Sequence, residues 1–371
     1  MYIWQEKLWP GLFWEGARLL PVLGRVARQQ GRLLGRIQDL GFELRREAQL
    51  STLTEEVVRS SEIEGENLDS DQVRSSIARR LGMDIGGLVA TDRNVEGVVE
   101  MMLDAATNSA QPLTADRLFD WHAALFPTGR NGLHKITVGQ WRDDRSGPMQ
   151  VVSGPVGRQK VHYEAPPAAR VDEEMKRFLT WFEAPGDVDA LLVAGLAHLW
   201  FVTIHPFDDG NGRIARAIAD MALARSEGST LRCYSMSAQI RRERSEYYRM
   251  LEHTQRRGLD VTSWQEWFLS CLGRAIEGAQ DTLSSVLTKA RFWKRFAQQS
   301  LNARQVTVLN RLLDGFEGKL TTSKWARLTK SSQDTAYRDI LALVDCGALR
   351  KDSSGGRSTS YSLVIDEGPA L

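Results

Sequence analysis

The sequence predicts a mainly α-helical protein: a helical core carrying one β-hairpin flap, preceded by a helical extension and followed by a smaller segment of helices and strands. Three observations predict it. Leucine, arginine and glutamate recur at helical spacing through about residue 80. The run Leu191 to Ile204 is apolar on all sides, as befits a helix buried at a domain centre. From about Ser300 to Val364 the order reads helix, helix, helix, then two short strands around Ser353 to Gly356. One stretch breaks the helical pattern. Val138 to Pro167 is rich in Gly, Pro and Ser with short β-branched runs, and reads as a loop or hairpin flap. These shifts divide the chain into residues 1–80, 81–280 and 281–371.

Taken in order, the N-terminal segment opens with Trp4, Trp9 and Trp14, which read as packing residues. Further on, Leu50, Leu53, Val57, Ser60 and Glu64 recur at steps of three and four, so they share a helix face. Arg59 and Glu62 fall off that face. Gly65 then serves as a C-terminal breaker. A carboxylate continuing an apolar stripe needs a partner or must be neutralised, and Arg216 is an attractive partner for Glu64.

Bulk composition narrows the function classes. With 371 residues and 42% hydrophobic content, the chain can bury a substantial core and support two or three domains. A formal net charge of +1 offers no global pull toward nucleic acid or an anionic membrane. Cys233, Cys271 and Cys346 lie far apart with no CxxC pair, which argues against a disulfide framework or zinc site and for a reducing compartment. The first residues lack a basic region followed by an apolar one, and Leu191 to Ile204 is too short to span a bilayer. A soluble, cytoplasmic protein is expected.

Chemistry concentrates after the apolar run, at His205-Pro206-Phe207-Asp208-Asp209-Gly210-Asn211-Gly212-Arg213, before a second helix from Ile214. A dense polar loop between two core helices is costly unless its groups have a task. Gly210-Asn211-Gly212 opens the second helix, where backbone N–H groups lack helical partners and the dipole favours an anion. Glycine lets a ligand approach that backbone closely. Arg213 and Arg216 project from one side of the first turn and match phosphate oxygens in bidentate fashion. Asp209 suits Mg²⁺ beside phosphates. His205 has the pKa of a general base near neutral pH. Taken singly, each piece has an ordinary explanation: a tight turn, a core histidine, a solvated arginine face. Together within twelve residues they point to a site.

The run His205 to Arg216 resembles the Fic signature, HxFx[DE]GNGRxxR, at all eight specified positions. No GxxxxGK[ST] run competes with it. The resemblance implies a helical Fic domain that transfers AMP from ATP to a Ser, Thr or Tyr hydroxyl of a target protein and releases pyrophosphate. His205 would be the base and Asp209 the Mg²⁺ ligand. The Gly210–Gly212 backbone and the Asn211 side chain would form the anion hole, and Arg213 and Arg216 would hold the β- and γ-phosphates. Phe207 would anchor the loop. Val161, His162, Tyr163 and Glu164 resemble the family's flap, which holds the target by strand addition. Tyr247 and Tyr248 resemble the tyrosine pair at the adenine pocket, although Gln255 stands where some relatives have asparagine. Ser60 to Gly65 matches the family's inhibitory motif, [ST]xxxE[GN], so Ser60, Glu64 and Gly65 would form an N-terminal brake in which Glu64 occupies Arg216.

The C-terminal order resembles a winged helix-turn-helix. Val306, Leu309, Leu312 and Leu313 make an apolar stripe, Gln333, Thr335, Tyr337 and Arg338 would face outward on the recognition helix, and Arg350, Lys351 and Arg357 would lie on the wing. From Ser300 onward ten Lys/Arg face eight Asp/Glu, a weak footprint for DNA, so residues 300–364 are read as a protein-contact module in preference to a DNA-binding one. Alternative readings are a nucleotide-sensing DNA-binding regulator, or a de-AMPylase in which Glu64 activates water. A homodimer is compatible with the resemblance, and other nucleotide donors stay open.

Overall fold

The computed structural model describes all residues except 39, 86, 133, 146, 156–157, 229–231, 317, 353–358 and 366–371, and the side chains of 280–282. It is mainly helical and divides into two compact units: Met1–Ile77 with Ala90–Ala279, and Ala78–Val89 with Gln280–Leu371.

The first unit begins with a 3-10 turn, Ile3–Gln5, followed by α1 (Gly16–Gln38), α2 (Phe42–Ile63) and α3 (Ser70–Arg80), the last of which crosses the unit boundary. Helix α1 buries Leu19, Val22, Val26, Leu33 and Ile37, one stripe at helical spacing. As expected, the early tryptophans pack: Trp9 stacks edge-on to Trp200, and Trp4 donates to the Glu164 carbonyl at 2.8 Å. Helix α2 buries a charged group, Glu56, with Ser60 and Ser61 beside Leu50, Leu53 and Val57, where α1 buries only Gln30 among polar residues. Its end is a Schellman turn. Gly65 takes φ +86°, Gly65 N–H donates to Glu62 O at 3.1 Å, and Glu66 N–H donates to Ser61 O at 3.0 Å.

Helices α4 (Arg93–Thr107) and α5 (Ala115–Leu125) start on Asp92 and Thr114, whose side chains accept from Val95 N–H and Arg117 N–H. They cross so closely that a Cβ on Gly97 would lie 1.8 Å from the Ala124 carbonyl oxygen. A short pair, β1 (Arg130–Asn131) with β2 (His134–Lys135), precedes the hairpin β3 (Gln150–Ser153) and β4 (Lys160–Glu164). The second hairpin is the expected flap; it is antiparallel and carries an irregularity between Val151 and Val152.

Helix α6 (Ala168–Glu183) lays Phe178 on Trp200 and Phe201 of α7 (Ala190–Ile204), whose residues Leu191 to Ile204 are all buried. Helix α8 (Asn211–Glu227) packs along α7 and closes on Gly228. Helices α9 (Met236–Arg242) and α10 (Arg244–Gln255) lead into the first part of α11 (Thr262–Arg295). Helix α7 is the apolar axis of this unit, and the site loop is its direct continuation.

In the second unit, α12 (Ala303–Leu313), α13 (Thr322–Thr329) and α14 (Gln333–Asp345) are capped by Asn302, Thr321 and Ser332. Strands β5 (Leu349–Lys351) and β6 (Tyr361–Leu363) pair antiparallel. Their core joins Phe292 and Phe296 with Val308, Leu309, Leu313, Trp325, Ile340 and Leu343. Val308 supplies the α12 stripe in place of Val306, which is only half-buried along with Leu312. Gln333, Tyr337 and Arg338 are exposed on α14 and Thr335 is half-exposed; Arg350 and Lys351 are exposed on β5. The expected turn at Ser353 to Gly356 and Arg357 lie outside the described residues. No helix among the described residues is long and apolar enough to cross a membrane.

Candidate active site

The loop between α7 and α8 begins with a residue in an uncommon conformation. His205 caps α7 with φ 52° and ψ 59°, a left-handed geometry costing a non-glycine residue about 1–2 kcal/mol. Its ring is fixed by Nδ1, 3.1 Å from the Val202 carbonyl. A carbonyl can only accept, so Nδ1 carries the proton and Nε2 is left as a base. Burial pushes the His205 pKa below its ordinary value of 6.5, and the Arg142 guanidinium acts in the same sense. The Val202 bond and the charges of Asp209 and Glu64 pull it partly back. The imidazole is therefore neutral at pH 7.

The middle of the loop is stitched from inside. Phe207 is fully buried with its ring stacked on His122 at 4.2 Å. Asn211 Oδ1 accepts from Phe207 N–H at 3.0 Å while its Nδ2 donates to Phe207 O at 2.8 Å. That finding corrects one expectation: the Asn211 side chain is committed to the loop and does not face an anion. His122, unnoticed in the sequence, accepts from Gly139 N–H at Nδ1 and sets Nε2 against Asp209 O at 3.2 Å. Burial pushes its pKa down to about 4.

Asp209 Oδ1 accepts from Gly210 N–H at 2.6 Å, and Oδ2 accepts from Asn131. Asp208 Oδ2 instead accepts from Thr137 N–H at 2.8 Å. No cluster of three metal-ligating side chains occurs among the described residues. Asp209 fits a different kind of site, one in which Mg²⁺ takes a single carboxylate and completes its shell with phosphates and water.

Gly210, at φ 79°, turns the chain into α8, whose first N–H groups project from the helix start. The protein's own carboxylate lies there. Glu64 Oε1 is 2.2 Å from where a Cβ on Gly212 would stand and accepts from Arg216 Nη1 at 2.8 Å. Arg216 also donates to Ser60 Oγ at 2.9 Å and Ser60 O at 2.8 Å, and its side chain is 2% exposed. Burial alone would depress the Arg216 pKa, but the Glu64 charge, with Tyr247 and Tyr248, lifts it above its ordinary value. Glu64 is not buried as its stripe suggested: its side chain keeps 31% of its surface open at the helix end.

A second contact escaped the sequence reading. Arg213, 3% exposed, pairs with Glu66 at 2.7 Å and lies over the Phe126 ring. Both signature arginines are thus taken by carboxylates flanking Gly65.

The flap and tyrosine expectations divide. Tyr163 is turned inward, 1% exposed, with its hydroxyl donating to Thr203 O at 2.6 Å, so its side chain anchors β4. His162 is held between Ser153 and Glu252, and Arg256 donates to the carbonyls of His162 and Val161 at 2.8 and 2.6 Å. With Trp4 on Glu164 O, the outer edge of β4 is already occupied, so strand addition there requires these side chains to yield. Tyr247 is buried against Trp264 and Trp267 and bonds His198 at 2.9 Å, which is packing. Tyr248 reaches the end of α2, donating to Ile63 O at 3.3 Å beside Arg244 at 2.8 Å. Gln255 is buried and donates weakly to Val202 O and Thr203 Oγ1.

The fold is thus a helical core in which a neutral imidazole and two carboxylate-paired arginines meet at a glycine-flanked helix start. Residues 112–223 match the Fic/DOC family. Residues 2–83 match a domain of unknown function, DUF4172. Among curated proteins, the chain is 31% identical over 127 residues to a uridine 5'-monophosphate transferase of Xanthomonas campestris, covering 31% of this chain and 21% of that protein. It is 26% identical over 218 residues to protein adenylyltransferase fic-1 of Caenorhabditis elegans, covering 57% and 40%. The chain thus spans less than half the length of either relative. A solved Fic family protein from Desulfovibrio desulfuricans shares the fold, with a TM-score of 0.51 at 22% identity over 94% of this chain and 98% of that one. A Fic domain-containing signaling protein from Bacteroides thetaiotaomicron does likewise, with a TM-score of 0.51 at 20% identity over 70% and 97%.

Proposed function

We propose that the protein is a nucleotidyltransferase that moves AMP from ATP onto a Ser, Thr or Tyr hydroxyl of a target protein, and that it is held inactive by its own carboxylates. One observation carries the reading: Glu64 sits against Gly212 and on Arg216, where an anionic ligand of the α8 start would lie. In this reading His205 Nε2 accepts the proton of the target hydroxyl. The freed oxygen attacks the α-phosphorus, its new P–O bond forming as the bond to pyrophosphate breaks. Arg213 and Arg216 hold the β- and γ-phosphates, and the N–H groups from Gly210 to Gly212 face the charge that develops. Asp209 would hold Mg²⁺, which supplies charge neutralisation between phosphates when bound. Residues 1–80 carry the brake, 81–280 the catalytic domain, and 281–371 a winged-helix-like contact module.

The deciding experiment incubates the Glu64→Gly protein with Mg-ATP and cell lysate and reads adducts by mass spectrometry. A gain of AMP on a hydroxyl residue supports the reading. No adduct above the wild-type level removes it. The likeness to a UMP transferase favours a second donor, so UTP belongs in a parallel incubation, where the adduct mass separates the two. For residues 281–371, a salt-dependent shift of duplex DNA would replace the protein-contact reading with a DNA-binding one.

A further inference from the structure

Arg142 follows the expected flap's first residues and carries no part of the signature. Its side chain is nevertheless 0% exposed and joins three separate segments. Nε donates to His205 O at 2.7 Å, Nη2 donates to Pro166 O just beyond β4, and Nη1 meets Asp144 Oδ1 at 3.0 Å. Its backbone N–H donates to Pro206 O at 2.9 Å. The other Asp144 oxygen accepts from Ala168 N–H, at the first residue of α6, at 2.7 Å. One planar cation therefore ties the end of α7, the exit of the flap and the start of α6.

Two features make this more than a packed salt bridge. The carbonyl it holds belongs to the helix-capping residue itself, which is left without an intrahelical donor by its position. That residue is His205, whose left-handed backbone persists only if its surroundings hold it there. The guanidinium fork reaches both carbonyls at once from separate nitrogens, a fixed spacing that the single nitrogen of a lysine ammonium lacks.

We propose that Arg142 is a positioning residue of the site, fixing the base His205 relative to the flap that would present the acceptor hydroxyl. The inference rests on the reading of His205 as base. Small displacements of a reacting pair cost rate steeply, on the order of 100-fold per ångström. Nucleotide grip, by contrast, belongs to the α8 start and should not depend on Arg142.

The test uses the full chain with Glu64→Gly as reference, alone and combined with Arg142→Lys. Transfer should fall by about 10- to 100-fold in kcat with KM for ATP nearly unchanged. An unchanged kcat, or a rise in KM alone, would overturn the proposal. A second readout does not require transfer. Nitrogen NMR of imidazole-labelled protein, with the His205 signal assigned by its loss in His205→Asn, should show the Nδ1–H tautomer in the reference. In Arg142→Lys it should show mixed tautomers and a higher titration midpoint, since a cation fixed near the ring is displaced. The other charged groups near the ring, Asp209 and Glu64, are unchanged or absent equally in both proteins. An identical His205 signal in both refutes positioning even if neither protein transfers a nucleotide, whereas a changed signal without any transfer leaves positioning standing and sinks the proposed reaction. Should Arg142→Lys fail to fold, Asp144→Asn, which frees Arg142 on one side only, should shift both readouts a few-fold in the same direction, and no shift there is a refutation.

Discussion

At the scale of single residues, the site is a set of commitments made before any ligand arrives. His205 keeps a free lone pair on Nε2 because its Nδ1 proton points at Val202 O. His205→Ala should abolish transfer while leaving nucleotide binding nearly intact, checked by labelling and by titration with fluorescent ATP. Transfer needs the unprotonated ring, and burial lowers its pKa. Activity should therefore be full above pH 6.5 and lost on acidification only below that value, as the pH–rate profile would show. The grouping at this scale was highly legible, because His205 and Asp209 in the loop and Arg213 and Arg216 on the first turns of α8 lie within twelve residues. His122 and Arg142 were not. They lie outside the motif, and nothing in local spacing tells a buried histidine stacked under Phe207 from one merely on an apolar face. The orientations of Asn211, Tyr163 and Tyr247 were not legible for a different reason: a motif identifies residue types but not which way a side chain turns.

Elements set where those residues meet. The Schellman turn at Gly65 places Glu64 and Glu66 on either side of one left-handed residue, so a single helix end supplies both acidic contacts. Glu66→Gln should weaken the hold on Arg213, and combined with Glu64→Gly should bind inorganic tripolyphosphate more tightly than either single variant, as measured by calorimetry. Equal affinities in the double variant and Glu64→Gly would assign Glu66 a structural role only. Elsewhere, the α4–α5 crossing tolerates no side chain at Gly97. Gly97→Ala should destabilise the protein by about 2–3 kcal/mol in chemical denaturation, since backbone has to move. Periodicity exposed α2 and the C-terminal helices, an unbroken apolar run exposed α7, and Gly65 was readable as a stop. The α4–α5 contact and the Glu66 pair depend on which elements become neighbours, so no window of sequence displays them.

For the molecule as a whole, two units emerge where composition suggested three segments. Residues 1–77 share a unit with the signature helices, because α2 packs on α9, α4 and α8 instead of standing apart. Global stability should respond to acid through histidines buried in neutral form. Burial pushes His198 to about 3 and His122 to about 4, against 6.5 for an exposed ring. The unfolded chain takes up protons first, so stability is full above pH 6.5 and falls as the pH drops toward those values. The His122 shift corresponds to about 3 kcal/mol and the larger His198 shift to about 5 kcal/mol. Melting temperatures recorded across that range should decline, and His122→Asn should flatten the decline; an unaltered slope would contradict the assignment. Mainly helical character was plain from sequence, while the extent to which the extension merges with the core came only from tertiary contacts.

Glu64 keeps roughly a third of its side chain in water while its partner is sealed inside. Such a plug can be displaced from the solvent side by rearranging one short helix end, with the core left folded. Under the proposed function, a small polyanion competing for the same guanidinium would act as a chemical key, whereas salt alone would screen so sheltered a pair only weakly.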